Sequence, residues 1–304
     1  MYRMLLFILV PTLSVASGLE IKDLTQNFDR FWSENQHLKN SSLVFKKFNH
    51  EIVPLFPEFY QNRVLTWKRS GRNPENVFFE KFKNYKEIRK KILLVRSKLP
   101  LFLKKAERSF RKEFPALPRD IKVHMIHSLG EMDGGTRVYK GKFFFIFGVD
   151  SIAKYHKSME YERKAPFLHH ELFHVYHRSF FQENETLLDG LWAEGLAVRA
   201  AHKLNPSASW AALSLDNPKG LIKKCESLRA RLNQDVLKRL KSPSRQDYDT
   251  YFYGDSTHDW IPKRSGYYLG YQIAKEANAS ISLSELARYS KQKILKTIQK
   301  ILKP

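Results

Sequence analysis

Four of the chain's eleven histidines and one glutamate lie in the apolar segment FLHHELFHVYH, residues 167–177. His170 and His174 are four residues apart, so a helix places both imidazoles on one face, about 6 Å apart. Two imidazole nitrogens at that separation can bind one zinc ion. Glu171 lies one step around the helix, where its carboxylate can take a proton from a water molecule that the metal activates. This HExxH pattern predicts a zinc hydrolase site.

Chance is a weak explanation for the pattern, because this composition would produce an HExxH only about 0.02 to 0.03 times in such a chain. The alternative interpretation is a group of surface histidines that are satisfied without a metal. Pro166 suits the first turn of a helix, which lacks amide partners, and the pattern predicts a helix that continues from there through Phe180.

A zinc site needs a third protein ligand, and three downstream side chains could provide it: His177, Asp189 and Glu194. His177 lies seven residues after His170, about 10 Å along a straight helix, which is too far for both to reach one ion together with His174. We therefore interpret His177 as a residue that either supports one of the ligands or packs in the core. Glu194 lies in LDGLWAEGLAVRAAHKL, an apolar helical stretch whose small residues allow close approach to the first helix. The sequence predicts that this second helix supplies the missing carboxylate.

HELFH, followed by nineteen residues and Glu194, resembles the gluzincin metallopeptidases, in which a glutamate on a following helix is the third ligand. WAEGLA and the later PKRSGYYLGYQIAKEA, residues 262–277, are similar to predicted, largely uncharacterised bacterial zinc proteases. The resemblance covers residues 121–277. The first hundred residues carry none of it.

The resemblance implies a zincin-like catalytic domain with one zinc ion and three ligands: His170, His174 and Glu194. It implies Glu171 as the general base. Thermolysin-like members carry an aspartate four residues after the glutamate, whereas this chain has Val198 there. The carboxylate that would support a ligand is therefore expected elsewhere, at Asp189 or Asp259.

Hydrolysis of a peptide also needs a hydrogen-bond donor for the oxyanion. Ser265 can cap a helix that carries Tyr267 and Tyr271 on one face, directly after Arg264. Tyrosines at helical spacing are also typical of a core. Position after the glutamate helix makes Tyr267 the predicted donor, and His258 is the alternative.

Two short strands are predicted ahead of the histidine segment. IKVHMI, residues 121–126, alternates apolar and polar residues, and KFFFIFGV, residues 142–149, is a β-prone run that should pair with it. The resemblance gives KFFFIFGV the role of an edge strand that holds an extended peptide, although the bare pattern predicts only a strand. Residues from about 19 to 114 and from 151 onward have helical periodicity, with no strand pattern in the first of these regions. The predicted fold class is α+β, mostly helical with a small sheet before the HExxH helix.

The first eighteen residues, MYRMLLFILVPTLSVASG, combine Arg3, an apolar run and small residues at positions 16–18. This pattern predicts a signal peptide cleaved near Ala16 to Gly18, with a buried strand as the alternative, and hence a secreted or periplasmic protein. It is too short to span a bilayer, and no later segment is a predicted span. The predicted domains are the signal peptide at 1–18, a helical region at 19–118 and the catalytic domain at 119–304. Cys225 is the only cysteine, which excludes an intramolecular disulfide.

The formal net charge is +22. Thirteen lysines and arginines between Lys81 and Lys112 are interleaved with apolar residues at helical spacing, which is typical of a solvated helix face. The functional alternative is attraction to anionic envelope polymers or lipid headgroups. The sequence has no base-reading motif, which argues against nucleic acid as a partner.

These patterns together favour an exported zinc metallopeptidase that acts on a peptide or protein substrate. One alternative is a non-enzymatic cationic protein that binds the cell envelope with the same scaffold. The other is a zinc amidase that acts on peptidoglycan crosslinks.

Overall fold

The computed structural model describes residues 18–156, 158–254 and 258–303. The predicted signal peptide lies outside the described residues except for Gly18. The strands of the described part are Leu19–Asp23 (β1), Ile121–Ile126 (β2), Gly134–Tyr139 (β3) and Lys142–Gly148 (β4). Its α-helices are Thr25–Asn35 (α1), Ser41–Glu51 (α2), Pro57–Arg69 (α3), Pro74–Glu113 (α4), Val149–Tyr155 (α5), Tyr161–His177 (α6), Leu187–Leu204 (α7), Leu221–Ser227 (α8), Arg229–Arg239 (α9), Arg245–Phe252 (α10), Ser265–Ala277 (α11), Leu283–Leu286 (α12) and Lys291–Leu302 (α13). The fold is α+β, mostly helical with one small sheet.

The sheet has the strand order β1-β2-β4-β3. β1 and β4 each pair in parallel with β2, and β3 pairs antiparallel with β4. The predicted pairing of IKVHMI with KFFFIFGV is confirmed, since Val123 lies opposite Phe145. The predicted edge position of KFFFIFGV is wrong, because β4 is hydrogen-bonded on both sides. The edge on this side of the sheet is β3, for which no strand was predicted.

β1 contradicts the prediction that the region before residue 115 is purely helical. Its five residues, LEIKD, are too few for a clear alternation, and their partner strand lies about a hundred residues further along the chain. Long-range pairing of this kind overrides local propensity.

The 40-residue helix α4 joins the amino-terminal helices to the rest of the molecule. The side chain of Asn73 caps its first turn by accepting from the backbone amides of Glu75 and Asn76. Its buried face packs against α2, α5 and α6, and a single apolar core runs through these elements and the sheet. The predicted boundary between residues 118 and 119 stays a prediction.

α6 begins five residues before Pro166, so the predicted start of this helix at the proline is wrong. It also ends at His177 rather than Phe180. Pro166 lies inside the helix, where its missing amide leaves the carbonyl of Glu162 without its usual helical donor. The proline ring is buried and faces the cavity described below.

α7 and α11 approach each other so closely that their backbones touch. A Cβ atom placed on Gly195 would lie 2.2 Å from the carbonyl oxygen of Gly270, and one on Gly270 would lie 2.5 Å from the carbonyl oxygen of Leu191. Both obstacles are backbone atoms, which cannot rotate away. The glycines therefore fix the distance between the helix that carries Glu194 and the helix that carries Tyr267.

No helix in the described part of the chain is both long enough and apolar enough to cross a bilayer.

Gly195→Ala should lower the free energy of unfolding by about 1 to 3 kcal/mol, because the added methyl group forces two helix backbones apart. Chemical denaturation monitored by circular dichroism measures this change. Glu276→Ala on the exposed side of α11 is the control and should have almost no effect. Unchanged stability in Gly195→Ala would contradict the close helix contact.

Candidate metal centre

Two imidazoles of α6 and one carboxylate of α7 converge on a single point. The Nε2 atoms of His170 and His174 are 3.0 Å apart. The Oε2 atom of Glu194 lies 3.1 Å from the first nitrogen and 3.4 Å from the second. The sequence separation is twenty residues between His174 and Glu194, and packing of α7 along α6 closes it.

These three groups fit a zinc ion. Ligand atoms at about 2.1 Å from a tetrahedral ion lie about 3.4 Å from one another, which is close to the separations observed. The Oε2 atom of Glu194 is buried, and no hydrogen bond of normal geometry satisfies it within the described residues. A cation bound at the point of convergence would satisfy all three groups. Nitrogen and carboxylate ligands of this kind suit zinc, and three protein ligands leave a position for substrate or water.

The electrostatics of the cluster follow from burial and mutual attraction. Burial alone would raise the pKa of Glu194, but the imidazoles of His174 and His170 outweigh it and hold that pKa well below its usual range. Burial alone would lower the pKa of His174, whereas the Glu194 carboxylate raises it to about 9. The carboxylate is therefore anionic throughout the neutral range, as a metal ligand must be.

Glu171 lies beside this cluster and is buried, with 8% of the residue exposed to solvent. Burial raises the pKa of Glu171, and the imidazoles of His170 and His174 oppose that shift. The carboxylate of Asp133, which is 2.9 Å from Nε2 of His156, raises it further. A carboxylate with increased proton affinity suits a general base.

The other two histidines of the segment hold the helices together. Nδ1 of His169 accepts a hydrogen bond of 2.8 Å from Asn205, and Ser109 Oγ lies 2.8 Å from its Nε2. Burial lowers the pKa of His169 to about 4, so the ring is neutral and its Nε2–H donates to Ser109. His177 stacks on Phe181 with the ring centroids 4.9 Å apart, and burial lowers its pKa to about 3.

Neither of the aspartates predicted to support a ligand contacts one within the described residues. Asp189 is buried at the start of α7, where its Oδ2 accepts from the backbone amide of Asn184 and from Lys291. Asp259 is exposed. The structure thus places Asp189 as an anchor for the carboxyl-terminal helix α13.

A cavity of about 670 Å³ opens over the ligands. β3 and α6 form one wall, and α7, α10 and α11 contribute to the other. Tyr267 faces this cavity, as predicted for a group near the substrate. His258 is not among the residues that line it in the described part, and its Nε2 is 2.9 Å from Arg239.

Asp133 and Tyr248 line the cavity but were not predicted as site residues, and Arg264, which the sequence analysis places directly before the Tyr267 helix, lines it as well. Asp133 and Tyr248 belong to a loop and a helix far from the histidine segment, and no spacing rule connects them to it. Arg264 adjoins the tyrosine stripe, so its position in the sequence was the one available signal.

Residues 104–296, more than half of the chain, match the family described as "Predicted Zn-dependent protease (DUF2268)". No curated protein and no solved structure matches the chain. The matched range begins inside α4 and ends inside α13, so it contains the three converging side chains and most of the cavity lining. The match confirms the resemblance to predicted, uncharacterised zinc proteases.

Glu194→Ala should reduce zinc affinity severely, because it removes one bond to the metal and the negative charge that offsets the cation. His177→Ala should keep the metal and lose at most about 10- to 100-fold in affinity. Zinc content after dialysis against a graded series of chelators measures both. An empty His177→Ala protein together with a loaded Glu194→Ala protein would contradict the assignment of the third ligand.

Proposed function

Because the chain belongs to the family of predicted Zn-dependent proteases, we propose that it is an exported, gluzincin-type zinc metallopeptidase with a zincin-like catalytic domain. The observation that carries the proposal is the convergence of two imidazoles and one carboxylate at 3.0 to 3.4 Å, with Glu171 beside them in an open cavity. His170, His174 and Glu194 would hold one zinc ion. When bound, zinc supplies a Lewis acid that increases the acidity of water and polarises the carbonyl of the scissile bond.

Glu171 moves the proton. Its buried carboxylate takes a proton from the attacking water and returns it to the leaving amine. The burial that raises the pKa of Glu171 suits both halves of this transfer, because the group must first accept the proton and then donate it. Asp133, which lines the cavity, is held in place by His156, whose Nε2 lies 2.9 Å from Oδ2 of Asp133.

Tyr267 is the proposed donor to the oxygen that gains charge. Burial raises the pKa of Tyr267 well above 10, so the phenol keeps its proton at any working pH. Tyr248 lines the same wall, and burial raises its pKa as well. A neutral phenol in a site shielded from water is an effective hydrogen-bond donor to a developing oxyanion.

Strand β3 is the proposed binding edge for an extended peptide. Residues 134–138 line the cavity, and among the described residues β3 pairs with another strand on one side only. An added peptide strand would satisfy the free backbone groups of this edge. Gly135 lies next to Glu171, since a Cβ atom built on it would be 3.8 Å from the Oε2 atom of that carboxylate. A peptide bound there would present its backbone to the general base.

Export is proposed from the sequence of residues 1–18, and it places the activity in the periplasm or outside the cell. The first strand, β1, begins at Leu19, directly after the proposed signal peptide.

Glu171→Gln should keep about one equivalent of zinc and lose peptide hydrolysis, because an amide of the same shape cannot accept the proton. Metal analysis and cleavage of a proteome-derived peptide library, assayed on the same preparation, measure both properties. The wild-type protein treated with chelator is the control for metal dependence. Loss of zinc in Glu171→Gln would mean that Glu171 is a ligand.

Tyr267→Phe should lower kcat on the order of a hundredfold with little change in KM, since the lost hydrogen bond acts mainly in the transition state. Steady-state kinetics on a peptide identified from the library measure the two constants. Tyr248→Phe is the matched comparison in the same wall. A fully active Tyr267→Phe protein beside an inactive Tyr248→Phe protein would transfer the role to Tyr248.

A further inference from the structure

Arg264 has a backbone conformation that side chains disfavour. It precedes α11 with φ 68° and ψ 12°, which is the left-handed region. Glycine adopts this conformation freely, whereas an L-residue does so at a cost. Strained backbone positions of this kind are concentrated at functional sites.

The guanidinium of Arg264 lies in the cavity wall and has no carboxylate partner among the described residues. Its Cζ lies 4.3 Å from the centroid of the Tyr267 ring. Its Nε is buried, and within the described residues it has no hydrogen-bond acceptor. None of the ion pairs found in that part of the chain involves Arg264, whereas Arg245 in the same cavity pairs with Glu185 and Asp249. A partly buried cation without a counter-ion is ready to bind an anion.

The other arginines of the cavity are less available or less fixed. Arg178 is exposed and lies over the ring of Phe143. Arg137 donates to the backbone carbonyl of Thr136. Arg264 is the arginine that packs directly on Tyr267, and its charge lowers the pKa of that phenol while Glu194 raises it. The Arg264 guanidinium and the Glu194 carboxylate therefore shift the pKa of the same phenol in opposite directions.

We infer that Arg264 binds a carboxylate of the substrate, so that the preferred peptides carry a carboxylate close to the scissile bond. The inference rests on the proposed peptidase function and adds a substrate class to it. Guanidinium and carboxylate groups form paired, charge-assisted hydrogen bonds, which gives the contact both strength and direction. The carboxylate is either the carboxyl terminus of a peptide or the side chain of an aspartate or glutamate.

Three matched substrates, two peptides and one peptide set, distinguish these sources with the full-length mature protein. The first is a peptide that ends in a free carboxylate, and the second is its carboxyl-terminal amide. The third is a set of variants of the amide, each with a glutamate in place of one residue. The wild-type protein should cleave at least one carboxylate-bearing peptide with kcat/KM about 10- to 100-fold higher than the plain amide. Preference for the first peptide indicates the carboxyl terminus, and preference for a member of the third set indicates a side chain.

Arg264→Ala should remove this preference, mainly by raising KM for the carboxylate-bearing peptide, so that the ratio of its kcat/KM to that of the plain amide falls to about one. Arg264→Lys should restore part of the preference, because it keeps the charge but not the paired hydrogen bonds. Lys263→Ala, which removes an exposed positive charge one residue away, is the matched control and should keep the full preference. Equal cleavage of all peptides by the wild-type protein, or a preference that survives Arg264→Ala, would overturn the inference and leave the peptidase function intact.

Binding gives a readout that does not depend on catalysis. Calorimetry with the zinc-loaded Glu171→Gln protein should give a Kd for the preferred peptide about 10- to 100-fold lower than for the plain amide, and Arg264→Ala in that background should abolish the difference. Equal affinities would overturn the inference. Failure of the wild-type protein to cleave any peptide in the library would instead count against the proposed function.

The backbone at position 264 can be tested separately. Arg264→Gly and Arg264→Ala both remove the guanidinium, and they differ in their tolerance of the left-handed conformation. The Tm of Arg264→Gly should therefore be about 2 to 4 °C higher than that of Arg264→Ala. Equal melting temperatures would overturn the premise that the arginine is held in a strained conformation.

Discussion

A carboxylate removed from water is costly unless a positive charge lies beside it. In this protein that constraint applies to the carboxylate of Glu194, between helices α6 and α11. The two imidazoles of α6 meet it from one side at 3.1 and 3.4 Å. This arrangement is possible only if α7 lies tightly between α6 and α11. The direct backbone contact of Gly195 with Gly270 makes room for it. Gly195, the residue after Glu194, therefore allows the Glu194 carboxylate to be held at this position between the helices.

The same helix contact determines what stands opposite the ligands. α11 brings Tyr267 to the cavity, and Arg264 packs on its ring just before the helix begins. The sheet supplies the other wall through β3, whose residues run past Glu171. The Glu171 carboxylate, the Tyr267 phenol and the Arg264 guanidinium, which has no carboxylate partner among the described residues, thus face one cavity from separate elements. Their positions depend on packing between those elements and cannot be set by any one of them alone.

The arrangement of these residues can be predicted from the sequence where the information is local, and it cannot where it depends on distant segments. Helical periodicity places His170, Glu171 and His174 correctly on a single helix. Glu194 could be predicted because it lies on an apolar helix with small residues, and such a helix packs closely against another element. The inner position of β4 and the strand β1 depend on pairing between distant segments, which a local pattern does not record. The residue type of His258 makes it a candidate hydrogen-bond donor to the oxyanion. In the structure it lies beside Arg239, and it is not among the described residues that line the cavity.

The histidine segment is crowded because one helix has two tasks. His170 and His174 face the ligand cluster, whereas the neutral ring of His169 links Ser109 of α4 to Asn205 at the end of α7. Its acceptor nitrogen is used by the asparagine and its donor by the serine, so the ring fits these partners in one tautomer only. Protonation would break the bond from Asn205, and burial opposes it. The imidazole of His169, next to His170, thereby restricts the rotation of α6, and helix α4 becomes part of the framework that orients His170 and His174.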